Sequence, residues 1–102
     1  MANIIVSGAG TSAVNGTYTE SGTFGGRPKY VYDNYVLVWS SGWVIGTSDY
    51  VTAYYVSNDN VATPDLCTTW EVFDGEPPVP TVTKEVTGNP KHFLYYARMR
   101  GN

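Results

Sequence analysis

An all-β fold is expected for this chain: a small antiparallel β-sandwich or barrel with a C-terminal arm. Three observations lead there. No long window keeps the 3.6-residue apolar period of an amphipathic helix. Strand-like runs instead recur about every eight to twelve residues, the spacing of a sandwich or barrel. The composition agrees. Charged residues make up 15% of the 102, below the ~25% of an ordinary soluble domain, while aromatics reach 15% and include nine Tyr. A Tyr- and Gly-rich chain with few charges favours strands and turns over helices. The length corresponds to one domain with a real but thin core.

The elements follow in order. Residues 3–7 (NIIVS) are expected as the first strand and 8–14 as a loop. Asn15-Gly16 is a strong two-residue hairpin signal, because both residues tolerate positive φ. Residues 17–20 (TYTE) return, and 25–28 (GGRP) turn, with Pro28 ending ladder hydrogen bonding there. Residues 29–32 and 35–39 flank Asp33-Asn34, a second two-residue turn. With 43–46 (WVIG) they form an expected meander. Residues 51–57 (VTAYYVS) make a further strand, 58–65 a polar loop, and 68–73 (TTWEVF) the last strand of the body. The run 74–80 (DGEPPVP) is an extended connector, since Pro fixes φ and donates no hydrogen bond. Residues 1–80 are thus read as the β domain and 81–102 as an arm or added strand, with 81–86 able to pair with a sheet edge.

The aromatics are expected to be mostly core. In 35–39 (YVLVW), Tyr35, Leu37 and Trp39 share one face and Val36 and Val38 the other. A strand apolar on both faces is central or covered twice. Trp39 and Trp70 are expected inside. Tyr54 and Tyr55 are neighbours on one strand, so strict alternation sends them to opposite faces, leaving one of them partly exposed or covered by the arm.

Charge is segregated. Residues 1–83 carry Glu20, Asp33, Asp49, Asp59, Asp65, Glu71, Asp74 and Glu76 against Arg27 and Lys29, a net −6. Residues 84–102 carry Lys84, Lys91, Arg98 and Arg100 against Glu85, a net +3. An acidic body with a basic tail suits pairing with a copy of itself or with another acidic subunit. It does not suit a phosphate track, so no nucleic acid is expected. Cys67 is the one cysteine, which leaves packing alone to hold the fold and fits folding in a reducing cytoplasm. The N-terminal stretch lacks the basic and apolar regions of a signal peptide, and no run approaches the ~20 apolar residues of a membrane span. Synthesis in the cytoplasm, with no membrane partner, is the expectation.

Catalytic and metal constellations are not legible. His92, the one histidine, reads as an arm residue, and Cys67 as a small hydrophobe beside a strand. One Cys and one His do not make a zinc site. Asp74 with Glu76, and Asp59 with Asp65, sit in turns with nothing placing either pair across a cleft. The stretch 58–60 (NDN) lacks the Gly and distal Glu of a calcium loop, and 8–10 (GAG) lacks a phosphate-loop pattern. No enzyme activity, cofactor or metal is expected. Binding is left: Trp43, Tyr50 and Tyr54, with Asn58, Asp59 and Asn60, would suit a glycan platform in which rings stack on a pyranose and short polar side chains take its hydroxyls.

The motifs VSGAG (6–10), VNGTY (14–18), GRPKY (26–30), the Trp39 and Trp43 pair, the Tyr54-Tyr55 strand and PTVT (80–83) together resemble a small all-β module. It is one appended to phage tail-fibre-like and bacterial surface proteins. The resemblance covers about the first four-fifths of the chain and implies display or adhesion rather than catalysis. Here the module starts at Met1 and ends in a basic-aromatic tail. The expectation is therefore a free-standing virion protein, of the capsid decoration (cement) kind or a short head or tail fibre component. It would bind the major capsid or another virion protein as a homo-oligomer. Lys91, Phe93, Leu94, Tyr95, Tyr96, Arg98 and Arg100 are the expected subunit-binding residues of the arm, in the edge-pairing mode. The alternative is a lectin-like adhesion module that binds glycans.

Overall fold

The computed structural model describes residues 3–85. They form eight antiparallel strands: β1 (Ile4–Ser7), β2 (Gly16–Phe24), β3 (Arg27–Tyr32), β4 (Tyr35–Trp39), β5 (Trp43–Thr47), β6 (Ala53–Ser57), β7 (Glu71–Val72) and β8 (Thr81–Lys84). Two single 3-10 turns, Ser12–Val14 and Pro64–Leu66, interrupt the loops. The spatial order is β7-β6-β5-β4-β3-β2-β1-β8, a meander with β8 added beyond β1. The expected all-β class is therefore what the chain adopts. The expected arm residues from Lys91 to Arg100, and the single histidine, lie outside the described residues.

The sheet curls because its inner face is filled by large side chains. Ile4, Val6, Val14, Tyr18, Tyr30, Leu37, Trp43, Ile45, Tyr55 and Val82 form one buried cluster. Tyr18 is satisfied inside it by donating to the Val14 carbonyl at 2.8 Å. Trp43 is fully buried, and its indole N–H donates to the Val61 carbonyl at 2.9 Å. Trp39 and Trp70, expected as core, pack against this cluster half-buried.

The open side of the curl is joined by a small hydrogen-bond knot. The Tyr55 hydroxyl accepts from the Thr11 N–H at 2.9 Å and donates to the Glu76 carbonyl at 2.5 Å. The Glu76 N–H donates to the Thr11 hydroxyl at 2.8 Å, and the Gly10 N–H to the Pro78 carbonyl at 3.0 Å. The Pro-rich stretch 74–80 thus ties β6 to the loop after β1 before the chain enters β8. A side chain at Gly10 has no room: its Cβ would lie 2.1 Å from the Pro77 carbonyl oxygen.

Four local expectations are corrected. Asn15-Gly16 is not a two-residue turn. Asn15 is extended, and its side chain both accepts from the Ala9 N–H (2.9 Å) and donates to the Ala9 carbonyl (3.2 Å), closing a longer loop. The amide behaves as a substitute strand partner, a local bond that outcompetes the tight turn. The turn expected over 25–28 is present but confined to Gly25-Gly26, with φ of 65° and 85°, and Pro28, expected to end the ladder, sits inside β3 opposite Thr23. The strand expected over 68–73 shrinks to Glu71–Val72, because the Asp59 carboxylate takes the N–H groups of Thr68 (2.6 Å) and Thr69 (3.1 Å) that a ladder would use. Finally, the β5–β6 pairing slips by one residue at Tyr54, a bulge that breaks alternation. Tyr54 therefore packs against the core beside Tyr35, rather than opposite it; it stays partly exposed, as expected of one of the pair, while Tyr55 is fully buried.

Candidate functional site on the outer face

The outer face of the sheet carries a second apolar layer. On β4, Val36 and Val38 point away from the core cluster, as the alternation of YVLVW requires, yet each is only 3% exposed. Val44 continues this layer on β5. Two aromatics from opposite ends of the sheet meet in the same groove. Phe24 comes from the β2–β3 hairpin, whose tip is pressed against the end of β4: a Cβ at Gly25 would lie 2.4 Å from the Trp39 carbonyl oxygen. Tyr50 comes from the β5–β6 loop at the other end. Their rings stack, with centroids 5.3 Å apart and an 18° interplanar angle. With Val51 and Phe73 they border a groove of about 400 Å³.

The loop that delivers Tyr50 is heavily constrained. Asp49 accepts from the Thr47 hydroxyl (2.6 Å) and the Val51 N–H (3.0 Å), and Thr47 accepts in turn from the Thr52 N–H (3.1 Å). The Thr47 hydroxyl, followed by the Val51 N–H, holds the Asp49 carboxyl below its ordinary pKa. These bonds keep Tyr50 at φ 63°, a left-handed conformation that is an outlier for a bulky side chain and costs of order 1–3 kcal/mol. Tyr50 nonetheless stays 52% exposed, and Phe73 across the groove is 65% exposed. A strained backbone that holds a solvent-facing ring is a feature the core does not require. Rim polarity comes from Ser40, Thr47, Thr52 and Asp74. No base lines the groove among the described residues.

The glycan residues expected from sequence do not come together. Trp43 is 0% exposed and is a core residue, because its position on β5 faces inward with Ile45. Tyr54 is half-buried beside Tyr35, ring centroids 6.1 Å apart. Asn58, Asp59 and Asn60 follow the end of β6, whereas Tyr50 precedes its start, so the whole strand separates them. The polar loop has structural partners of its own. Asp59 holds Thr68 and Thr69, and Asn60 accepts from Arg27 at 2.8 Å. Arg27 also donates to the Val61 carbonyl and lies over the Trp39 ring, its guanidinium carbon 3.6 Å from the centroid. Of the six expected residues, only Tyr50 reaches the groove.

Phe24, Val36, Val38 and Phe73 were not legible as site residues. The double-sided apolar pattern of YVLVW was the one available signal. It pointed to a covered outer face without saying what covers it. Cys67 packs against the core, and burial pushes its thiol pKa up, away from the reactive thiolate. Among the described residues, no three His, Cys, Asp or Glu side chains gather as a metal site, and no helix is long and apolar enough to cross a membrane. No family model, curated protein or solved structure matches the chain.

Proposed function

We propose that this protein is a non-enzymatic structural component of a virion, a capsid decoration or short fibre protein, that attaches to a neighbouring subunit through the outer-face groove. The observation that carries the reading is the Phe24–Tyr50 stack over Val36, Val38 and Val44: a second apolar layer, edged by rings the core does not need. Exposed apolar area concentrated around one groove marks an interaction surface more often than a random surface feature. Its sparse charge and lack of a cradle for polar substrate groups favour attachment over chemistry. The virion setting comes from the resemblance of the motifs between Val6 and Thr83 to modules of phage fibres.

Two measurements test it. Quantitative mass spectrometry of purified particles encoded by the same genome is expected to find the chain in a fixed ratio to the major capsid protein; its absence from them overturns the reading. The variant Tyr50→Asn then tests the groove. Asn tolerates left-handed φ, so the loop is expected to keep its shape while the stack is lost. Particle occupancy is expected to fall at least tenfold with little change in melting temperature. A second reading, glycan binding, keeps one observation: the exposed Tyr50 ring beside Thr47, Thr52 and Asp74. Glycan-array signal that disappears in Tyr50→Asn would favour it.

A further inference from the structure

The groove's apolar bed is bordered by Asp74 and lies one residue from Asp49, and no base lines it among the described residues. The described body, residues 3–85, holds all nine acids of the chain and three of its bases, a net −6. The rest of the sequence supplies the complement in one stretch: Lys91, Phe93, Leu94, Tyr95, Tyr96, Arg98 and Arg100, aromatic in the middle and basic at both ends. We propose that the groove of one copy receives the segment 91–100 of a second copy, with the Phe93–Tyr96 stretch against the exposed Tyr50, Val51 and Phe73 and the flanking bases toward Asp49 and Asp74. This rests on the attachment reading and names the partner within it.

Chain length allows a second copy as well as the same one. In the strand order, β8 lies four to five strands from the β4–β5 wall, about 19–24 Å along the backbone sheet. From Glu85, which is anchored by its N–H to the Asn3 carbonyl at 2.8 Å, to Phe93 there are eight residues. They span at most about 26–29 Å when fully extended. That span exceeds the distance along the sheet, so chain length permits the same chain's groove as well as a neighbour's, and the cross-link below separates them. Head-to-tail exchange of this kind produces rings or fibres, the assemblies a decoration or fibre protein forms.

The test uses the full chain. A light copy carrying photoreactive p-benzoyl-phenylalanine in place of Tyr95 is mixed with an isotopically heavy, unmodified copy and irradiated. The expected product is a light–heavy cross-link whose heavy peptide contains Phe24, Tyr50 or Phe73, lost when the heavy copy carries Tyr50→Asn. Cross-links confined to one chain, cross-links to another face, or no cross-link at all overturn the proposal. That failure is distinguishable from failure of the attachment reading. If particle occupancy still falls in Tyr50→Asn, the groove attaches to a different subunit; if occupancy is unchanged as well, both readings fall.

Discussion

Tyr55 shows how much one hydroxyl can organise. Its ring belongs to the core, while its oxygen joins two segments far apart in sequence, accepting from Thr11 and donating to Glu76. Tyr55→Phe keeps the ring and removes both bonds. It strands a backbone N–H and a carbonyl in a partly buried site, where each unsatisfied group costs about 1–3 kcal/mol. The expected outcome is a loss of roughly 2–4 kcal/mol in urea unfolding. A loss under ~0.5 kcal/mol would mean that water replaces the hydroxyl and that the knot is not a fastening. Tyr50 is the opposite case, since its ring rather than its hydroxyl makes the contact and its backbone carries the strain. Asn there relieves the φ penalty while deleting the stack, two terms of similar size and opposite sign, so Tyr50→Asn is expected to change unfolding free energy by no more than ~1 kcal/mol.

At the scale of elements, the β2–β3 hairpin decides whether the outer groove exists, because it brings Phe24 over β4. Gly25 makes that approach at φ 65° with the Trp39 carbonyl where a Cβ would sit. Gly25→Ala therefore combines a left-handed penalty with a backbone clash, and a loss of more than ~1–2 kcal/mol is expected, accompanied by loss of the Phe24–Tyr50 stack in near-ultraviolet circular dichroism. An unchanged spectrum would show the hairpin tip to be dispensable for the stack. Elements of this kind were legible in part. YVLVW and Asp33-Asn34 were readable because alternation and turn chemistry are local. The Asn15 bridge to Ala9 and the shortening of β7 by Asp59 were not. In both, a polar side chain reaches a backbone group outside its own run, and period counting does not see such bonds. The Tyr54 bulge and the meeting of Phe24 with Tyr50 were invisible for a related reason: each depends on register between segments rather than on any one segment's pattern.

For the whole molecule, the buried tyrosines set an alkaline limit. Burial raises the pKa of Tyr18, first by desolvation and then through neighbouring Tyr32 and Tyr35. Tyr30 is pushed up to about 12, first by desolvation and then by the charges of Glu20 and Asp65. A raised folded-state pKa means that the native form holds its proton after the unfolded chain has begun to lose it, near pH ~10. The contribution of these groups is therefore fully present below ~10 and declines as pH climbs toward the folded-state values, so the molecule weakens on the alkaline side. Both rings lie on the single inner face that gives the sheet its curl. Their ionisation is thus expected to be an all-or-none event tied to unfolding rather than two independent titrations. Tyrosinate absorbance followed together with far-ultraviolet circular dichroism checks this. A steep rise in absorbance is expected to coincide with loss of the strand signal. If all the absorbance develops while the strand signal is unchanged, Tyr18 and Tyr30 are reached by solvent in the native state, and the single-core account of the curl fails with them.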